Sequence, residues 1–376
     1  MKSIELLSEM VAFPSVSSTS NVDVSRWVEN QLKSRGFRTE WLSYTDSRGI
    51  EKVCVSGQIG PTEGRGLAYF CHSDVVPVST WSFPESGPWN LLQKDGRLYG
   101  RGSCDMKGSL ICMLSAVDAV SSTQLNAPLT IVCTADEEVG LQGARHVVAE
   151  SKMYRDVAQR RSRAIIGEPT LLNVVHAHKG GRSLRITSKG IAAHSSTGKG
   201  VNANFAMIPF LAEVNQLCER IKDDPQWQDD RYDPPTINLN LGINDHTTAI
   251  NITPAQSICT IYFRTMPGIN ADALVDEIKA AAERHCLEFE IVFQGNPLFT
   301  DPDSSFIAEL LELSGKSASQ TVSYGTDGSC FTELTDIAVV GPGDIRQAHT
   351  DDEWIEIEQL NQGTALYEKF IRRWCV

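Results

Sequence analysis

The chain has 376 residues, 41% hydrophobic and 22% charged, a globular composition long enough for two domains. Its net charge of -13, from 34 Lys and Arg against 47 Asp and Glu, excludes nucleic acid as a main partner, since phosphate binding needs clustered cations. No stretch is long and uncharged enough to cross a bilayer, and the 10 cysteines are scattered singly without a C-x-x-C pair, the pattern of reduced core thiols in a cytoplasmic protein.

In chain order, "MKSIELLSEMVAFPSVS" comes first and spaces Ile4, Leu7, Met10 and Val11 along one helical face. It lacks the uninterrupted apolar run of a signal peptide. Short apolar runs then alternate with helical patterns: "GLAYFCH" (66–72), the helix "GSLICMLSAVDAV" (108–120), "LTIVCT" (129–134) and "RAIIGEPT" (163–170). Hydrophobicity that does not alternate marks strands covered on both faces, as a mostly parallel sheet requires. A doubly wound α/β domain is therefore expected over residues 1–179. From Gly180 the texture changes. "GRSLRITSKGIAAHS" and "AQSICTIYFRTMPG" alternate apolar with polar residues, and around them lie the helices "VNANFAMIPFLAEVNQLCERI" and "ADALVDEIKAAAERH" and the strand "EFEIVF". This predicts an inserted two-layer α+β domain over 180–294, after which "SSFIAELLELSG" and "DIAVVGPG" resume the first texture, so the α/β domain closes over 295–376.

In an open α/β sheet ligands bind beyond the carboxyl ends of the strands, so the residues that end each apolar run are the candidates. They are His72 and Asp74, then Asp136-Glu137-Glu138 in "TADEEVG", Glu168 in "GEPT" and His349 after "IAVVGPGDIRQA"; Asp105 in "GRGSCDMKG" enters the following helix. Each has an ordinary reading: a hydrogen-bonded histidine, a helix N-cap at Asp105, a turn before Pro169, a solvated acidic corner. Together they place two imidazoles and several carboxylates at one sheet edge, and unpaired buried carboxylates demand a cation or lose their charge. The set exceeds the three protein ligands of one open catalytic zinc site and suits two divalent ions sharing a carboxylate, which can acidify a water and polarise a carbonyl. One member of the acidic triplet is then a ligand, and a neighbour remains free to carry a proton. On extended backbone Asp74 points the same way as His72 and can orient it.

The ordered motifs "HSDVVP", "GRGSCDMKG", "TADEEVG", "GEPT", "GIAAHSS", "FRTMPG" and "GPGDIRQAHTDDEW" resemble, nearly end to end, the M20 dinuclear-zinc amidohydrolases and peptidases in the branch of acetylornithine deacetylase and succinyl-diaminopimelate desuccinylase. The resemblance implies one metal on His72 and Glu168, a second on Glu138 and His349, and Asp105 as the bridge. It further implies Glu137 as general base, Asp74 steadying His72, and a cis Asp105–Met106 bond. His194 would come from the partner subunit of a homodimer, formed through the inserted lid domain, to stabilise the oxyanion. Arg264, and less firmly Asn251, would grip a substrate carboxylate. The implied cofactors are two Zn²⁺ per subunit, with Co²⁺ or Mn²⁺ as substitutes. The implied substrate is an N-acyl amino acid, with "HAHKGG" and "GPGDIRQAH" most like acetylornithine deacetylase; acetylcitrulline, succinyl-diaminopimelate and dipeptides are alternatives. Without the resemblance His194 and Arg264 read as ordinary strand residues.

Three rivals stand beside this reading. A cysteine nucleophile at Cys71, Cys104 or Cys330 would leave the acids without a cation, and Cys71 alternates away from His72. An inactive metal-binding homologue is at odds with an intact Glu137. Nucleotide binding is at odds with "GPG", "GTDG" and "TGKG", which lack the full glycine spacing. Ser103-Cys104 and the wording "HTDDEW" depart from the usual family pattern without altering a ligand.

Overall fold

Apolar residues fill the strand Leu67–His72, and all six are buried; the same is true of Leu129–Thr134. In the computed structural model, which describes residues 2–247 and 249–376, these strands lie side by side and parallel with His72 opposite Thr134. Arg163–Ile166 pairs parallel with the other edge of Leu67–His72, and Ile337–Val339 pairs parallel beyond it. The middle of the sheet is thus parallel and its flanks are antiparallel. Glu51–Ile59 joins Leu129–Thr134 and carries Arg38–Thr45 outside it, while Val175 bridges Val339 on the opposite flank.

Strands with no wet face need cover on both sides. Helix Lys107–Ala119 is apolar almost all round, burying Leu110, Ile111, Cys112, Met113, Leu114, Ala116 and Val117. With Lys2–Val11 and Ile357–Cys375 it joins the sheet in one hydrophobic cluster. Each fully buried aliphatic or aromatic side chain there contributes about 1.5–3 kcal/mol. Among the described residues no helix is long and apolar enough to cross a membrane.

Two units emerge: Met1–Ala177 with Phe299–Gln320 and Thr326–Val376, and His178–Leu298 with Thr321–Gly325. The second contains an antiparallel sheet in the order Leu239–Asn244, Gln256–Thr265, Gly180–Lys189, Glu288–Gly295. Its strand Gln256–Thr265 buries alternate residues only, among them Cys259, Ile261 and Phe263. Helices Ala203–Asp223 and Asp272–Arg284 bury Met207, Phe210, Val214, Leu217 and Ile221, and Leu274, Val275 and Ile278, at helical spacing. The limits differ by a few residues from 179/180 and 294/295, for a reason that hydropathy does not register. Lys179 donates its N–H to the carbonyl of Val322 and its ammonium to that of Pro234, and Ser323 donates to the carbonyl of Asp233.

Candidate metal centre

Each candidate in the first unit stands where a strand or turn releases the chain at one end of the parallel strands. His72 closes Leu67–His72. Asp105 lies in the turn before helix Lys107–Ala119, and the Asp105–Met106 bond is cis. Glu137 and Glu138 open the single helical turn Glu137–Val139 that follows Leu129–Thr134. Glu168 is two residues beyond Arg163–Ile166, and His349 stands in a loop with φ of +64°.

Their side chains converge. His72 Nε2 lies 3.1 Å from Asp105 Oδ1 and 3.5 Å from Glu168 Oε1. His349 Nε2 lies 3.3 Å from Asp105 Oδ2 and 3.0 Å from Glu138 Oε2. The two oxygens of Asp105 therefore serve two imidazoles. Ligand atoms of His72, Glu137 and Glu168, and again of His72, Asp105 and Glu138, all fall within 4.8 Å of one another.

The electrostatics test whether this set fits cations. Burial, and then Asp105, push the Glu168 carboxyl up to about 8. Glu137 keeps part of its surface open, yet enough protein surrounds its carboxyl that burial drives its pKa well up. Burial and Asp105 also raise Glu138. Burial alone would lower His72, but Glu168 and Asp105 outweigh it and hold the ring well above its ordinary value. Hydrogen bonds to Asp105 and Glu138 lift His349 to about 10. Four acids and two imidazoles thus balance only by binding protons. Two dications would do the same neutralising, with the carboxylates ionised and the rings neutral, which is the donor chemistry that divalent ions require. The residues fit.

The surrounding groups hold this set in place. His72 Nδ1 meets the backbone carbonyl of Asp74 at 2.9 Å, which leaves Nε2 facing the acids. The Asp74 side chain stands farther from the ring than its carbonyl does, with Oδ1 3.7 Å from Nδ1. The strand ends at His72, so strict alternation lapses. The Asp74 carboxylate instead accepts the Ser17 hydroxyl at 2.7 Å and the N–H groups of Glu137 and Glu138 at 3.2 and 3.4 Å. Asp136, the first acid of the triplet, points away from the cluster. With φ of +57° it accepts Lys52 Nζ at 2.7 Å and the Tyr44 hydroxyl at 2.8 Å. Glu168 is set by Gly167, where a Cβ would collide with the Tyr69 and Ser109 hydroxyls. Gly341 faces it, and a Cβ there would strike the carbonyls of Gly167 and Glu168.

The model of peptidase family M20/M25/M40 matches residues 68–373. The chain belongs to this family. Among its relatives, an acetylornithine deacetylase of Myxococcus xanthus is 34% identical over 98% of this chain and 96% of that protein. One of Proteus mirabilis (strain HI4320) is 32% identical over 99% and 97%. An M20 family metallo-carboxypeptidase from Sulfolobus solfataricus superimposes with a TM-score of 0.77 at 16% identity, covering 99% of both chains. A dinuclear metal-binding M20 peptidase of Bacillus subtilis gives 0.68 at 13%, covering 99% and 98%. At these identities the two structures share the fold.

In this M20 chain His194, Asn251 and Arg264 belong to the second unit. His194 is exposed, and its Nδ1 meets the Ser196 hydroxyl at 2.7 Å. Asn251 uses its backbone carbonyl to accept the Ser195 N–H at 2.9 Å, which braces the His194 loop. The Arg264 guanidinium lies 5.4 Å from the Tyr262 ring centre. Burial, with Arg264 as a nearby charge, lowers His178 to about 4.

The thiol alternative finds no support in this M20 site. Burial pushes Cys71 and Cys104 well up and Cys330 up to about 12, so all three remain protonated thiols and poor nucleophiles. Two further acids stand near the cluster without a signal of their own in the sequence. Burial raises Asp327, beside the Thr134 hydroxyl, to about 7. Glu353 is buried under the Asp105 turn and binds backbone N–H groups. Asp327 lies in "GTDG", where the glycines suggest a nucleotide pattern rather than a buried acid, and a residue that serves backbone donors, as Glu353 does, leaves no side-chain signature.

Proposed function

We propose that this chain hydrolyses the amide bond of an N-acyl amino acid, N-acetylornithine foremost, to give acetate and the free amino acid. The observation that carries the reading is the Asp105 carboxylate with one oxygen toward each of the two imidazoles. Relatives named acetylornithine deacetylase, at 31–34% identity over nearly the whole chain, support the substrate.

His72 with Glu168 would hold one divalent ion and His349 with Glu138 the other, with Asp105 between them, and zinc is the proposed metal. When bound, the pair supplies Lewis acidity for the scissile carbonyl and acidifies water. Glu137 takes the proton of the attacking water and returns it to the departing amine nitrogen, a task suited to a carboxyl whose pKa burial has raised. His194 donates to the carbonyl oxygen as charge develops there. Arg264 pairs with the substrate carboxylate through its planar guanidinium, and Asn251 adds a lesser polar contact. We also propose a cytoplasmic homodimer formed through the second unit. There Phe205, Ile208 and Ile243 are 72%, 57% and 60% exposed.

Metal-stripped protein reconstituted with zinc, assayed on a panel of N-acyl amino acids and dipeptides, tests the substrate. Acetylornithine should be turned over fastest. Cleavage of dipeptides alone would overturn the deacetylase reading, and undiminished activity after stripping would overturn the metal reading as well. Light scattering should give twice the 41.3 kDa chain mass.

A further inference from the structure

We propose that Glu353 is the positioning residue for Asp105 and so determines where the shared carboxylate presents its two oxygens. This rests on the two-cation reading above. Residues 101–106, before helix Lys107–Ala119, form a turn outside the strands, and its buried N–H groups must find acceptors. Glu353 supplies them. Its Oε1 accepts the N–H of Cys104 at 2.9 Å and that of Asp105 at 3.0 Å, and its Oε2 accepts the N–H of Gly102 at 2.9 Å. Arg101 Nη1 donates to the same Oε2 at 2.9 Å, with both side chains 1% exposed. One carboxylate thus fills a concave nest of three amides, with a guanidinium balancing its charge.

The strand that follows fixes the clamp in register. Trp354–Glu356 pairs antiparallel with Arg97–Tyr99, with Trp354 opposite Tyr99, and the N–H of Gly100 reaches the Glu353 carbonyl at 3.0 Å. Glu353 also lies four residues after His349. It therefore links the loop carrying His349 to the turn carrying Asp105, and those two side chains meet at 3.3 Å. If the clamp is loosened, the Asp105 oxygens no longer diverge toward both imidazoles, although no ligand has been touched.

Glu353→Gln keeps the size but turns an amide NH₂ toward N–H donors. Zinc affinity is read by competition with a chromophoric chelator, alongside kcat, KM and thermal melting. The expected result is an affinity for the second zinc weakened about 10- to 100-fold, the usual effect of losing a group that orients a ligand. A matching fall in kcat at little-changed KM should accompany it. In an Asp105→Ala background the same substitution should leave zinc affinity unchanged, because its route of action is gone; a merely structural residue would weaken both backgrounds alike. Native two-zinc affinity in Glu353→Gln, or an equal effect with and without Asp105, overturns the proposal. If that variant does not fold, Glu353→Asp, which keeps the charge and retracts it by one methylene, is read in the same titration: weakened second-site affinity supports the proposal and native affinity overturns it. A wild-type protein that takes up fewer than two zinc ions would instead sink the two-cation reading itself.

Discussion

Both units carry solvated ion pairs, but among the described residues the first unit alone also buries both partners of a pair. In the first, Lys52 with Asp136 and Arg101 with Glu353 form ion pairs 1% exposed on both sides, and Lys107 is fully buried. In the second, Arg185 with Glu290, Lys189 with Glu288 and Arg220 with Glu277 are solvated pairs on the surface. Exposed pairs are worth about 0–1 kcal/mol, whereas breaking a buried one leaves a charge uncompensated and costs about 3–5 kcal/mol. The first unit thus holds its acids in a fixed frame of counter-charges and backbone donors. The second offers His194 to solvent, on a loop braced by the backbone of Asn251 and Thr253.

Changes at the chemistry should sharpen the contrast most. Glu137→Gln should lower kcat by about 100- to 10,000-fold with metal content unchanged, measured by steady-state kinetics and metal analysis; a near-normal rate would remove Glu137 as the proposed base. His194→Ala should cost on the order of a hundredfold in kcat, as when one oxyanion donor is lost. Little change would confine the chemistry to the first unit. Lys52→Met strands Asp136 in the interior and should destabilise the protein by about 3–5 kcal/mol in urea unfolding. A loss below about 1 kcal/mol would erase the distinction between the units. Arg185→Ala, at the solvated end of the scale, should change stability by less than about 1 kcal/mol in the same experiment.

His349 adds a pH test whose sign is determined by its partners. Its folded pKa is raised to about 10, so its contribution in metal-free protein is complete below the ordinary histidine value of about 6.5 and is lost as pH rises through about 10. Zinc displaces that proton, so loaded protein should not share the loss. Melting curves of stripped and loaded protein, taken from about pH 6 to pH 10, should diverge toward the alkaline end. Parallel curves would overturn the exchange of that proton for zinc.

What was legible in the sequence followed from where hydrophobic runs end. His72, Glu137, Glu138 and Glu168 could be noticed because Leu67–His72, Leu129–Thr134 and Arg163–Ile166 are unbroken apolar strands. Glu51–Ile59 was illegible because Lys52, Ser56 and Gln58 interrupt it, although all three are buried. Lys52 is satisfied by Asp136, and Gln58 by the Thr130 hydroxyl at 3.1 Å, partners far away in sequence. The same distance hid the split within the acidic triplet. Periodicity reports which face is dry, not which polar group has a partner on another strand.

The meeting of Gly167 and Gly341 has a consequence for how this protein could fail. The bend delivering Glu168 has no room for even one more carbon on either side. Alanine, ordinarily the gentlest replacement, would there be among the harshest: it would add no charge and remove no reactive atom, yet push a carboxylate out of reach of its neighbours. A survey of damaging variants that weighed chemical character alone would pass over both positions.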